Sequence, residues 1–161
     1  MGKRSISKMR TMNTEYLEEM IRQVIEGHDF SPSEKLLMID KEVACCIPAG
    51  NKYSISTYVW HCNFWNQIWL SRLLGEKRLS DNDCRRDWFV PLPADWNEVR
   101  ETFLSNLNLA LKIASSKPFE HKMKDDDVAA KTLCQIAVHT AYHVGQVQLL
   151  KRMIGEIKQK F

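Results

Sequence analysis

The chain has little of what interrupts regular structure. Its 161 residues include only six glycines and five prolines. That disfavours a turn-rich all-β fold, whose many short strands need Gly- and Pro-rich turns. It has no run of 18 apolar residues, so no membrane partner or span is expected. Charge of one sign is also slight: 23 Lys and Arg against 20 Asp and Glu, a net +3. A nucleic-acid-binding domain carries a clustered basic face, so no nucleic acid is expected as a partner. The five cysteines (Cys45, Cys46, Cys62, Cys84 and Cys134) are odd in number. They show no C-x-x-C pair and no regular spacing, which argues against a disulfide framework. Four basic residues occur in the first ten, but no apolar stretch follows them, unlike a signal peptide. Ile6 stands where a myristoylation signal needs Ser or Thr. The expectation is a reduced, cytoplasmic protein, with residues 1–12 as a basic extension of a single domain spanning 1–161.

What is present is helical periodicity, in a chain of ordinary globular composition, 44% hydrophobic and 27% charged. Apolar residues recur every three or four positions from Thr14 to Glu26, and Gly27 is a natural stop. A second helix is expected from Ser31, where Ser31-Pro32-Ser33-Glu34 reads as a capping box with proline at the first helical position. Pro48 and Gly50 would end it. A third, aromatic-rich helix spans Ile55–Leu74 and closes at Gly75. Residues 76–94, with Pro91 and Pro93, read as a long loop of the kind that is functional or a crossover. A fourth helix follows the capping box Asp95-Trp96-Asn97-Glu98 and runs to about Ser115. A fifth starts near Asp126 or Asp127, whose charges suit a helix N-terminus, and stops at Gly155. The fold class is therefore all-α: a four-helix bundle with an additional short helix and one long connection.

Two histidines stand out. His139 and His143 are four apart on the fifth helix, so about 400° of rotation returns both imidazoles to one face. That spacing lets two ring nitrogens reach one ion. Thr140 occupies the place of the glutamate in H-E-x-x-H, which excludes a metalloprotease of that type. Such a pair also occurs by chance on surface helices or as hydrogen-bonded core residues. Here it lies in an apolar stretch, Ile136 to Val147, where two buried rings are better accounted for by a shared ion. His61, inside the aromatic third helix, is either a lone core histidine or a third ligand. Gln146 shares the face of the pair, as does Gln135 one turn before His139; either can orient a ligand or simply join helices. His28 and His121 read as solvated. Cys134 is rotated about 140° from His139, away from the metal face. Acidic residues avoid the two histidine-bearing helices, leaving no evident general base.

The segment Tyr53-Ser54-Ile55-Ser56 through His61 and Trp65 resembles the second-helix signature of the DinB/YfiT-like metalloenzyme family. His139-Thr140-Ala141-Tyr142-His143-Val144-Gly145-Gln146, followed by Leu150, Arg152 and Gly155, resembles the family's last helix. Asp87-Trp88, Pro91-Leu92-Pro93 and Trp96 match its connecting loop. The resemblance implies His61, His139 and His143 as ligands of a divalent metal ion, with zinc or nickel expected. It also implies an up-down-down-up helix order with the long loop as crossover, and a homodimer.

Characterised relatives use low-molecular-weight thiols, so the leading expectation is a thiol S-transferase acting on small electrophiles in a stress response. A hydrolase using metal-bound hydroxide needs the same three residues. A non-enzymatic, metal-stabilised stress protein is the third reading.

Overall fold

The computed structural model describes residues 14–27, 31–76 and 85–158. Its helices are α1 (Thr14–Glu26), α2 (Ser33–Leu36), α3 (Lys41–Cys45), α4 (Ile55–Leu74), α5 (Trp96–Ala114) and α6 (Asp126–Lys158), with a 3₁₀ turn at Pro93–Asp95 before α5. The described residues contain no strand, and none of their helices is long and apolar enough to cross a membrane.

Four of the helices form the bundle. Leu17, Ile21 and Val24 of α1 recur at helical spacing and are buried, as are Val99, Phe103, Leu107 and Ala110 of α5. Helix α4 packs on both α5 and α6, and α1 packs on the same two from the opposite corner. Along α4, Tyr58 meets His143 whereas Trp69 meets His139, and the Leu73 carbonyl accepts from the Lys122 N–H just before α6 begins. These two helices are therefore antiparallel. Trp60 and Phe64 lie beside Glu98 and Val99, and Leu73 beside Leu109 and Ile113, so α4 and α5 are parallel. Val24, near the end of α1, accepts from Ser33 Oγ (2.6 Å), and Lys151 of α6 donates to the Leu36 carbonyl (3.0 Å). The end of α1 thus sits beside the C-terminal half of α6. The order is up-down-down-up, and the described end of the α4–α5 connection, residues 85–92, lies back beside Trp60 and His61, as a crossover requires.

Buried amides set the register of α4. Asn63 Nδ2 donates to the Val99 carbonyl on α5 (2.7 Å), and its Oδ1 accepts from Asn106 (3.5 Å). Asn66 Nδ2 donates to Thr140 Oγ1 on α6 (3.2 Å). Unpaired, these groups would each cost a few kcal/mol in such a core. Only the observed sliding position pairs them.

Three local expectations are corrected. The second helix is two short ones: residues 37–40 interrupt it, and Ser31 does not cap it. Ser33 Oγ, inside the expected box, is drawn to Val24 instead. Asp95 does not cap α5; its carboxylate accepts from the Leu92 N–H (2.8 Å) and closes the 3₁₀ turn. Helix α6 continues through Gly155 to Lys158, and Asp125, whose Oδ1 accepts from the Val128 N–H, serves its start. Gly27 (φ +61°) and Gly75 (φ +73°) do stop their helices in the left-handed conformation that glycine adopts without a Cβ clash. The Asp81–Asp83 part of the long loop, Cys84 and His28 lie outside the described residues.

Candidate metal centre

Ser54 starts the helix that carries His61. Its Oγ accepts from the Thr57 N–H (3.2 Å) and lies within 2.9 Å of the Ser56 and Thr57 hydroxyls. This buried hydroxyl cluster fixes the first turn of α4, so His61, nearly two turns on, faces α6. There it meets His139 and His143, one turn apart on that helix. The potential ligand nitrogens of the three imidazoles all lie within 4.8 Å of one another. Among the described residues this is the one group of three or more His, Cys, Asp or Glu side chains so gathered.

The outer partners decide which nitrogen each ring presents. Asp87 Oδ1 lies 2.6 Å from His61 Nδ1. A carboxylate only accepts, so the proton is on Nδ1 and the lone pair is on Nε2. Gln146 Oε1 lies 2.6 Å from His143 Nδ1, while Gln146 Nε2 donates to the Tyr142 hydroxyl (3.3 Å). That again places the proton on Nδ1 and the free pair on Nε2. His61 Nε2 is 3.1 Å from His139 Nε2. With the lone pair on the His61 side, His139 carries the proton of this contact. Its Nδ1 is then a buried acceptor, and it has no partner. A divalent ion held by Nε2 of His61, His139 and His143 would shift that proton to His139 Nδ1 and take up the converging pairs. The donor set therefore fits a metal with nitrogen ligands and hydrogen-bonded outer partners.

Aromatic rings wall the cluster. Trp88 stacks on His61 with centroids 3.9 Å apart, and Tyr53 stacks on Trp88 at 4.3 Å. Trp69 meets His139 edge-on at 5.2 Å, and Tyr58 lies 5.7 Å from His143. This low-polarity surround disfavours charge. Burial lowers the pKa of His61 against the opposing pull of Asp87, and lowers that of His143 against its bond to Gln146. His139 is pushed down to about 4, by burial first and then by His143 and His61. All three rings are neutral near pH 7, the form that binds metal. Burial also raises the Tyr58 pKa, so its hydroxyl keeps its proton.

The shifts have one sign, and stability follows it. Each folded pKa lies below its ordinary value of 6.5. As pH falls the unfolded chain therefore takes up protons first. The contribution to stability is fully present above about pH 6.5 and is lost as pH falls through about 4, where His139 titrates. Melting of the metal-free chain should show a lower Tm at pH 5 than at pH 7.5; equal values would contradict this ionisation scheme.

Of the residues singled out in the sequence, the structure brings His61, His139, His143 and Gln146 together. Gln135 is exposed beside His139 in a surface groove, and among the described residues it has no hydrogen bond to the three imidazoles. Thr140 faces inward to Asn66. Cys62 is buried in the core, and Cys134 lines the groove rather than the cluster. His121 is not solvated. Its side chain is 7% exposed, its Nδ1 accepts from the Met123 N–H and its Nε2 pairs with Asp126 (3.0 Å), so it braces the entry to α6. Sequence reasoning missed Asp87 and Trp88 as site residues. Their signal was an acidic-aromatic pair in a loop, without periodicity to aim it.

The sequence profile of the DinB superfamily matches residues 33–147, which include all three histidines, Asp87 and Gln146. No curated protein and no solved structure matches the chain. The match covers most of the chain, which belongs to the DinB superfamily.

Proposed function

We propose that this DinB-superfamily chain is a metal-dependent S-transferase that joins a low-molecular-weight thiol to a small electrophile. The observation that carries the reading is the donor set: three neutral imidazoles, with the carboxylate that reaches them, Asp87, engaged on His61 Nδ1 rather than free as a general base. A divalent ion held by neutral nitrogens keeps its full charge and acidifies a thiol or water at its open position. Zinc and nickel both suit imidazole ligands. The chain's own part is orientation and exclusion. Asp87 and Gln146 hold two rings by their outer nitrogens, and Trp88 covers His61 against water. In the transfer the thiol gives its proton to solvent and its sulfur bonds the electrophilic carbon. The broken bond's electron pair goes to the leaving group, or, for an epoxide, to the ring oxygen, which stays on the product and takes up a proton from solvent.

The test is conjugate formation by metal-loaded protein with mycothiol, bacillithiol or glutathione and a panel of alkyl and epoxide electrophiles. Product that requires both metal and thiol, and is lost in His143→Ala, is expected. Thiol-independent turnover of esters or amides would replace this reading with the hydrolase. A metal-dependent rise in Tm without any turnover would leave a metal-stabilised bundle.

A homodimer is part of the proposal, and the outer face of α6 supports it. Positions 128, 131, 135, 138, 142, 145, 149 and 152 follow alternating three- and four-residue steps along one stripe. On it Val138, Tyr142 and Leu149 are 58%, 63% and 59% exposed. A Cβ at Gly145 would meet nothing within 4 Å, so a second helix has room to approach there. Antiparallel pairing of two such stripes sets the acidic start of one, at Asp127, against Arg152 of the other, a complementary match. Light scattering on the eluting protein should give twice the chain mass, and Tyr142→Glu should give a monomer. A monomeric wild-type chain would refute the pairing.

A further inference from the structure

The metal centre uses one side of the segment at residues 85–90. Asp87 and Trp88 turn toward His61, whereas Arg86 and Phe89 turn the other way, over Trp60. On that far side a cavity of about 380 Å³ opens between α4, the start of α5 and this segment. The residues that line it include Trp60, Phe64, Phe89, Arg86, Asp95 and Glu98. Arg86, Phe89 and Glu98 belong neither to the group of three histidines nor to the buried core.

These opposite charges are not paired with one another. Arg86 lies over the Trp60 and Phe89 rings, 5.6 and 5.8 Å from their centroids, and its carbonyl accepts from Trp60 Nε1 (2.8 Å). Asp95 is tied to the Leu92 N–H. Among the described residues neither Asp95 nor Glu98 forms an ion pair with Arg86. The lining therefore includes one basic and two acidic side chains, not ion-paired with one another, together with three aromatic ones. A simple anion is attracted by Arg86 and repelled by the carboxylates; a simple cation meets the reverse. A small molecule carrying both charges and an apolar body suits both the charged and the aromatic residues of this lining. The volume lies within the range of about 300–1,000 Å³ usual for small-ligand sites.

We propose that this cavity binds a free α-amino acid with an apolar or aromatic side chain. The ligand carboxylate pairs with Arg86, in the two-bond geometry a guanidinium favours. The ammonium pairs with Asp95 and Glu98, and the side chain lies on the rings. The inference is independent of the reaction proposed for the metal centre.

Calorimetry on the full chain tests it, after dialysis against EDTA so that amino-acid chelation of an ion contributes nothing. The probes are L-phenylalanine, phenethylamine and 3-phenylpropionate, the last two each lacking one charge. Saturable binding of L-phenylalanine is expected, at least tenfold tighter than either analogue. Arg86→Gln should weaken L-phenylalanine and 3-phenylpropionate about tenfold and leave phenethylamine unchanged. Glu98→Gln should weaken L-phenylalanine and phenethylamine and spare 3-phenylpropionate. Unchanged far-ultraviolet circular dichroism and metal content would show that both variants keep the fold and the neighbouring centre. No saturable binding, equal affinity for all three probes, or binding insensitive to both substitutions would overturn the proposal.

Discussion

The His143→Ala variant should bind no divalent ion under conditions in which the wild-type chain holds one. His143 supplies one of three nitrogens that lie within 4.8 Å of each other, and the variant leaves two. Among the described residues no other His, Cys, Asp or Glu joins the group: Asp87 is bonded to the outer nitrogen of His61, and Cys62 is buried in the core with its thiol pKa raised by burial. Structural zinc sites have four protein ligands and catalytic ones three, so two imidazoles fall below either class. The variant also releases Gln146 from its bond to Nδ1. Elemental analysis of untagged protein after reloading with zinc and with nickel gives the stoichiometry. Circular dichroism shows whether the bundle survives. A folded variant that still carries a stoichiometric ion would show that His143 is not a ligand. Wild-type protein that takes up neither metal would remove the basis of the S-transferase reading.

The parts of this centre that could be read in the sequence are those that periodicity aims. His139 and His143 lie one turn apart on a helix whose register is set by buried residues from Ala129 to Ile154, so their common face follows from spacing alone. His61 needed more. Its helix is apolar on nearly every side, and periodicity does not say which side meets α6. That is decided by Asn63 and Asn66, whose partners Val99 and Thr140 are 36 and 74 residues away. Gly75 was readable because a left-handed stop is a local demand that glycine meets. Gly155 looked the same and is not a stop, because the stretch around it holds Ile154 in the core and tertiary burial outweighs the roughly 1 kcal/mol helix cost of glycine.

The misreadings share a cause: a polar side chain near a helix start has more than one partner within reach. Ser31 to Glu34 has the composition of a capping box. Yet Ser33 Oγ reaches the Val24 carbonyl of the preceding helix, and the chain breaks again after Leu36. Asp95 likewise turns back to Leu92. His121 looked solvated among charged neighbours and is instead folded against Phe119 and Asp126. Asp87 belongs to the same class. Nothing in a loop sequence indicates which of its side chains the returning segment will lay on a helix 26 residues earlier.

Asp87 is therefore where a substitution outside the three ligands should have its largest effect on metal binding. Asp87→Ala is expected to weaken divalent-metal affinity about 10- to 100-fold, the usual cost of losing a histidine's outer partner. Three contributions add in one direction. The carboxylate fixes the tautomer that leaves His61 Nε2 free, from 2.6 Å. Its negative charge raises the basicity of the ring it holds and would favour a cation bound to that ring. Its neighbour Trp88 is stacked on the same ring, so losing the anchor also loosens the cover. Asp87→Asn separates these contributions, because an amide oxygen still accepts from Nδ1 but carries no charge. If the tautomer dominates, Asn should restore most of the affinity; if charge dominates, Asn should resemble Ala. Competition titration with a fluorescent zinc chelator measures all three proteins on one scale. Equal affinities for Asp, Asn and Ala would mean that His61 needs no outer partner to present its nitrogen, and that stacking under Trp88 alone holds the ring in place.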